Sequence, residues 1–168
     1  MNKRCETCPA QVLCADIIQA DTATIERRQT IMDNIGLNVV EAEMLNSTGQ
    51  ALIDTHIAEL ESSLDSDADG ASIGDIMEQY ATLELKRHTC EKSLASIQAT
   101  ADHLTLICQG LIQQAEAHRA TALQLQDLTA LGCEQGPSGT TCGAPGAEDI
   151  RAALRAVPIL MPDMGRPF

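Results

Sequence analysis

A heptad pattern of apolar residues runs through most of the second half of this 168-residue chain. Its members alternate at steps of four and three residues, the spacing that keeps one stripe of a helix facing a partner helix. We call this stripe the seam. Only Arg87 and His118 on it are strongly polar, and its members are Ile76, Tyr80, Leu83, Arg87, Cys90, Leu94, Ile97, Ala101, Leu104, Cys108, Leu111, Ala115, His118, Ala122 and Leu125. Residues 72–132 are therefore predicted to be helical.

A weaker seam follows the first half of the chain, where residues 15–64 are predicted to be helical. Its apolar members are Ile18, Ile25, Met32, Ile35, Val39, Ala42, Ile53 and Leu60, and it is interrupted by Asp21, Arg28, Asn46, Gly49 and His56. Residues 65–71 read as a turn. The predicted fold is all-α, a long antiparallel helical hairpin that is coiled-coil-like. Breaks near Gly49 and Gly110 would instead give an up-down four-helix bundle.

The scarcity of aromatic residues supports a thin core. The chain has one Tyr, one Phe and no Trp, whereas aromatic side chains supply the largest buried areas in compact cores. Helix-on-helix packing of medium-sized side chains fits this composition. The sequence leaves open whether the seam is satisfied within one chain or between two copies in a homo-oligomer.

Cysteines precede and follow the predicted hairpin in the sequence. Residues 1–14 form a cysteine-rich head with Cys5, Cys8 and Cys14, and residues 133–168 form a Gly/Pro-rich tail with a short helix near 148–156. The tail either folds back over the head or docks into a partner. An antiparallel hairpin brings the head near Cys133 and Cys142, either of which can supply a fourth ligand. We expect Cys90 and Cys108, on the seam, to act as small apolar side chains.

The head has the pattern C-x2-C-P-x4-C, in which three thiolates within ten residues can hold three corners of a cluster. Over these ten residues it resembles the three-cysteine part of the [4Fe–4S] motifs of WhiB-like regulators and endonuclease III-type DNA glycosylases. The resemblance implies iron–sulfur chemistry at Cys5, Cys8 and Cys14. Zinc is the alternative metal, and thiols without a metal are the third interpretation.

An acidic segment lies in the predicted turn. Asp65, Asp67, Asp69 and the following Gly70 match the first half of a calcium-binding loop, and Asp75 is placed to add a ligand. Ile76 stands at the twelfth position, where such loops need a bidentate Glu. A solvated turn is the competing interpretation.

The net charge of −13 argues against nucleic acid and against anionic membranes, because binding phosphates requires clustered Lys and Arg. It favours protein partners that carry basic surfaces. The chain shows no secretory signal after Met1 and no apolar run of membrane-spanning length, so we expect a cytoplasmic protein. Seven cysteines in a reducing compartment then indicate metal or redox chemistry.

No phosphate-binding loop, nucleophile elbow or other catalytic motif occurs, so nothing in the sequence supports an enzyme. The sequence predicts a non-enzymatic protein-interaction or regulatory protein with a metal-binding head at the base of its hairpin. The alternative is an iron–sulfur electron-transfer or redox accessory subunit of a larger enzyme.

Overall fold

Three helices make up the described part of the chain. The computed structural model describes residues 8–65, 70–134 and 146–158, with the side chains of all of these but 9, 70, 71, 131–134 and 147. Helix α1 spans Pro9–Asp65, α2 spans Gly70–Glu134 and α3 spans Ala147–Arg155. The described residues are 96% helical and contain no strand. None of the described helices is long and apolar enough to cross a bilayer.

Helices α1 and α2 pack against each other as a hairpin, which confirms the all-α prediction. The four-helix bundle is not adopted, because both helices continue through Gly36, Gly49 and Gly110. One glycine costs a helix only about 1 kcal/mol, which packing along the partner helix offsets. At the predicted break beside Gly49, the hydroxyl of Thr48 donates to the carbonyl of Met44 at 2.9 Å and so stays satisfied within the helix.

Helix α1 begins at Pro9, earlier than the predicted start at residue 15. Proline suits the first helical position because its missing N–H would have no partner there. The Cys8 carbonyl accepts a hydrogen bond from the Val12 N–H at 3.1 Å and so begins the helix. Cys14 therefore lies inside α1 and not in a separate head.

The chain divides into two compact units. Unit 1 comprises Met1–Met32 and Thr105–Phe168, and unit 2 comprises Asp33–Leu104. In each unit, a segment of α1 packs on a segment of α2, and unit 1 also contains α3.

The predicted seam is the packed face of both helices. Every seam residue of α2 is buried or half-buried except Ile97 and Leu104, which are 44% and 43% exposed. All eight apolar seam residues of α1 are likewise buried or half-buried. Near the turn, the packed position is Ile57, which is 8% exposed, whereas its neighbour His56 faces solvent. The next packed residue of the seam after Ile53 is thus four positions further along α1, and not three.

Candidate functional site

Two of the predicted ligand cysteines lie together in unit 1. Cys8, immediately before α1, and Cys14, in its second turn, are 5% and 0% exposed. They share a cluster with Ala10 and with Ile150 of α3, which has no exposed surface. Leu13, Leu125 and Leu154 pack around this set, which we call the cysteine cluster. Helix α3 therefore covers the two thiols.

The sequence of α3 explains how Ile150 is held over them. The Asp149 carboxylate accepts a hydrogen bond from the Gly146 N–H at 3.0 Å, which closes the first turn of the helix. Arg151 donates to Glu148 at 2.6 Å on the exposed side. Acidic residues in the first turn and Arg155 in the last complement the helix dipole. The apolar Ile150 and Leu154, one turn apart, are left to face α1 and α2.

Burial raises the pKa of the Cys14 thiol, and the negative charge of a Cys8 thiolate raises it further. Two thiolates in one apolar cluster repel each other, so Cys14 favours its protonated form unless a cation lies between them. A thiol-bound metal supplies such a cation, and metal binding at Cys14 would release a proton.

The other predicted ligands are only partly covered by the structure. Cys5 and Cys142 lie outside the described residues, and so does the side chain of Cys133, whose backbone is in the last turn of α2. Among the described residues, no group of three or more His, Cys, Asp or Glu side chains is placed to hold a metal. The metal site therefore stays a prediction, of which the structure describes Cys8 and Cys14.

The structure also describes only part of the acidic segment. Asp65 is the last residue of α1 and Asp75 lies within α2, both exposed, while Asp67 and Asp69 lie outside the described residues. The calcium loop stays a prediction.

A buried polar group on α1 was noted in the sequence only as an interruption of the seam. Asp21, in unit 1, keeps its Oδ2 out of solvent with no hydrogen bond from any described residue. Burial raises the pKa of Asp21, and the positive charges of His118 and Arg119 on α2 partly offset this effect. The seam residue His118 thus has a charged neighbour across the hairpin.

Unit 2 carries two hollows between α1 and α2. The apolar hollow, of about 260 Å³, is lined by Ile35, Asn38, Val39, Ile97, Ala101 and Leu104, among others. The polar hollow, of about 640 Å³, is lined by His56, Glu59, Glu78, Thr82, Leu83 and Lys86, among others. The sequence assigned Ile97 and Leu104 to the packed seam, but in the structure they form a wall that solvent reaches.

The solvent side of α1 in unit 2 carries exposed apolar residues as well. Leu37, Val40 and Met44 are 67%, 62% and 64% exposed, and steps of three and four residues place them on one helix face. We call this set the outer stripe. Residues 33–104 hold 14 of the 24 acidic residues but only 3 of the 11 basic ones, so most of the net negative charge belongs to unit 2.

No protein-family model matches this chain, and no curated protein or solved structure shows significant similarity to it. The local resemblance at Cys5, Cys8 and Cys14 therefore stays a prediction from the motif.

Proposed function

We propose that this chain is a non-enzymatic protein-interaction protein whose hairpin presents unit 2 to a basic protein partner. The observation that carries the proposal is the outer stripe of Leu37, Val40 and Met44, exposed on a unit with a large excess of acidic residues. Contiguous exposed apolar side chains rimmed by charge are typical of interaction surfaces. A cytoplasmic location, as expected from the sequence, belongs to the same proposal.

The charge distribution supports the choice of partner. Unit 2 has Lys86, Arg87 and Lys92 as its only basic residues. Arg87 is already engaged, because it donates to Asp54 and lies 3.5 Å from Glu84. The remaining carboxylates attract a positively charged surface, while the apolar side chains between them lose their contact with water on binding.

The test is site-specific photocrosslinking in extract of the source cells. A photoreactive residue replaces Val40 in the outer stripe, and a matched control replaces Thr24, which is exposed on α1 in unit 1. We expect a discrete protein adduct at position 40 that is absent at position 24 and weakens in high salt. Absence of any adduct, together with binding or turnover of a small molecule by the purified chain, would contradict the proposal.

The cysteine cluster is the second part of the proposal. We infer that Cys8 and Cys14 hold a metal together with Cys5 and either Cys133 or Cys142, as an iron–sulfur cluster or, alternatively, zinc. Support comes from the burial of Cys8 and Cys14 in one cluster under Ile150, since burial protects a cluster from solvent and tunes its potential. Such a head either stabilises the hairpin base or responds to redox state.

The second candidate function is an iron–sulfur electron-transfer or redox accessory subunit. The same burial of Cys8 and Cys14 favours it, because solvent exposure is one of the factors that set the reduction potential of a cluster. A reducible cluster with a measurable potential would support it, and a colourless protein purified without oxygen would exclude it.

A further inference from the structure

The two side edges of the hairpin in unit 2 are built differently. On one edge, polar pairs bridge the helices: Gln98 donates to Glu43 at 2.9 Å, and Arg87 donates to Asp54. Glu43 and Asp54 are eleven residues apart, which is about three full turns, so both lie on the same edge of α1. The same eleven-residue spacing relates Arg87 and Gln98 on α2. This edge is closed by side-chain contacts.

The other edge is open. Asn38 lines the apolar hollow and Glu59 lines the polar hollow. Leu45 and Leu52 fall between them at seven-residue steps, so all four follow one edge of α1. Leu45 is 63% exposed and Leu52 is 59% exposed. Because Asp54 is two residues beyond Leu52, a rotation of about 200°, the polar pairs lie on the opposite edge.

Helix α2 continues the same open edge. Ser96 lines the apolar hollow and Thr82 lines the polar hollow, and Thr89 lies midway between them at seven-residue steps. The two hollows and the exposed Leu45 and Leu52 therefore lie along one edge of the hairpin, which we call the side groove. Its α1 edge from Asn38 to Glu59 is roughly 30 Å long at 1.5 Å per residue.

We propose that the side groove binds an amphipathic, basic helix of about 20 residues from a partner protein. This inference rests on the proposed interaction function and adds to the outer stripe a second contact site with its own ligand. A groove between two packed helices accepts the apolar stripe of a third helix. Ile97 and Leu104, together with Leu45 and Leu52, supply the apolar contacts along most of its length.

Charge complementarity selects a basic helix. Glu59 and Glu78 both line the polar hollow, and Lys86 is the one Lys or Arg among the described residues of its lining. A partner helix with Arg or Lys near one end would place these groups beside the two carboxylates, where charged pairs fix register. A second copy of this chain is disfavoured in the groove, because it would bring together two units that each carry 14 acidic and 3 basic residues.

The experiment measures binding of a defined probe to the full chain. The probe is a fluorescent 21-residue peptide of Leu, Ala and Arg with Leu on one helical face and Arg beside it. Its control is a scrambled peptide of identical composition and charge. Fluorescence anisotropy at low and at physiological salt gives the affinities. We expect the amphipathic peptide to bind at least about tenfold more tightly than the scrambled one, because only the former presents a stripe to the groove.

Matched variants locate the site. L45S with L52S removes apolar contacts from the groove, whereas L123S with L128S removes two exposed leucines of α2 in unit 1, away from both the groove and the outer stripe. Circular dichroism checks that helix content is unchanged in both. We expect the groove pair to weaken peptide binding by about tenfold. A tenfold change in affinity corresponds to about 1.4 kcal/mol, which the lost burial of two leucine side chains against the peptide can account for. The pair in unit 1 should leave peptide binding unchanged.

Each contrary result overturns the assignment. If both peptides bound with equal affinity, charge alone would account for the binding. If both variant pairs lost the same affinity, the peptide would not be bound in the side groove. A chain that sediments as a dimer and becomes a monomer in the groove pair would make the occupant a second copy. If crosslinks from position 40 persist while the groove variants change nothing, the interaction function stands and the groove assignment fails.

Discussion

Ile150 of α3 and Cys14 of α1 lie in the same cluster, and neither side chain has any exposed surface. The packing of Ile150 into this cluster joins two parts of the chain that are distant in sequence. We expect this packing to determine how accessible the two thiols are, whether or not they hold a metal.

The first prediction concerns this packing. Ile150→Ala should lower the free energy of unfolding by about 2–5 kcal/mol, since a fully buried aliphatic side chain leaves a cavity. It should also speed alkylation of Cys14, because α3 holds Ile150 over the thiol. Urea unfolding and timed thiol labelling measure the two effects. Arg151→Ala on the exposed side of α3 is the control, and equal labelling rates in the two variants would show that Ile150 does not shield Cys14.

The second prediction concerns the metal. Protein purified without oxygen should contain about four iron and four sulfide per chain and absorb in the visible range. Cys8→Ser should abolish this and loosen the hairpin base, whereas Cys90→Ser, on the half-buried seam of unit 2, should do neither. One zinc per chain would make the head a structural site. Equal metal loss in both variants would show that the metal is not bound specifically at the cysteine cluster.

The third prediction is a pH dependence from Asp21. Because burial raises its folded-state pKa above the unfolded value of about 4, the folded protein loses stability as pH rises through the folded-state pKa. Asp21→Asn removes the buried charge, so it should be more stable than the wild type at neutral pH. The difference should shrink as pH falls through the folded-state pKa and vanish below about 4, where Asp21 becomes protonated in both states.

Thermal unfolding at a series of pH values measures this difference. Asp16→Asn, an exposed change on the same helix, is the control for the loss of one negative charge. A variant with Asn at position 21 that is less stable than the wild type at neutral pH would show that the charges of His118 and Arg119 outweigh burial.

The fourth prediction uses a helical glycine. A Cβ added at Gly36 would meet nothing within 4 Å, and the backbone there is regular helix. Gly36→Ala should therefore raise the free energy of unfolding by about 0.5–1 kcal/mol through helix propensity alone. Ala58→Gly, at another exposed position of α1, should lower it by a similar amount. Loss of stability in Gly36→Ala would indicate a contact that the hairpin alone does not explain.

The spacing of apolar residues was enough to predict the hairpin and its packed faces. It could not predict the side groove, because Ile97 and Leu104 have the same spacing as the buried seam residues. How deeply a seam residue is covered depends on the side chain opposite, and here the α1 side of the apolar hollow includes the polar Asn38. A heptad pattern predicts which face of a helix is packed, but not how deeply each residue on that face is buried.

The cysteine motif predicted which residues carry chemistry, but it could not predict what covers them. The cover is Ile150, in a tail whose short amphipathic helix was consistent with either folding back or docking on a partner. Asp21 and Asn46 were noted only as interruptions, although in the structure each keeps an oxygen out of solvent with no hydrogen bond from the described residues. Whether a polar seam residue is satisfied depends on the rotamers of both helices, which spacing does not contain.

The concentration of acidic residues in unit 2 has a kinetic consequence. A field of one sign attracts a basic partner over distances comparable to the Debye length, which falls from about 30 Å at 0.01 M salt to about 8 Å at 0.15 M. The encounter rate of such a pair should fall steeply as salt is added, while the lifetime of the complex, governed by apolar contacts, should change little. Binding in the cell would then be regulated by how often the partners meet more than by how long they stay together.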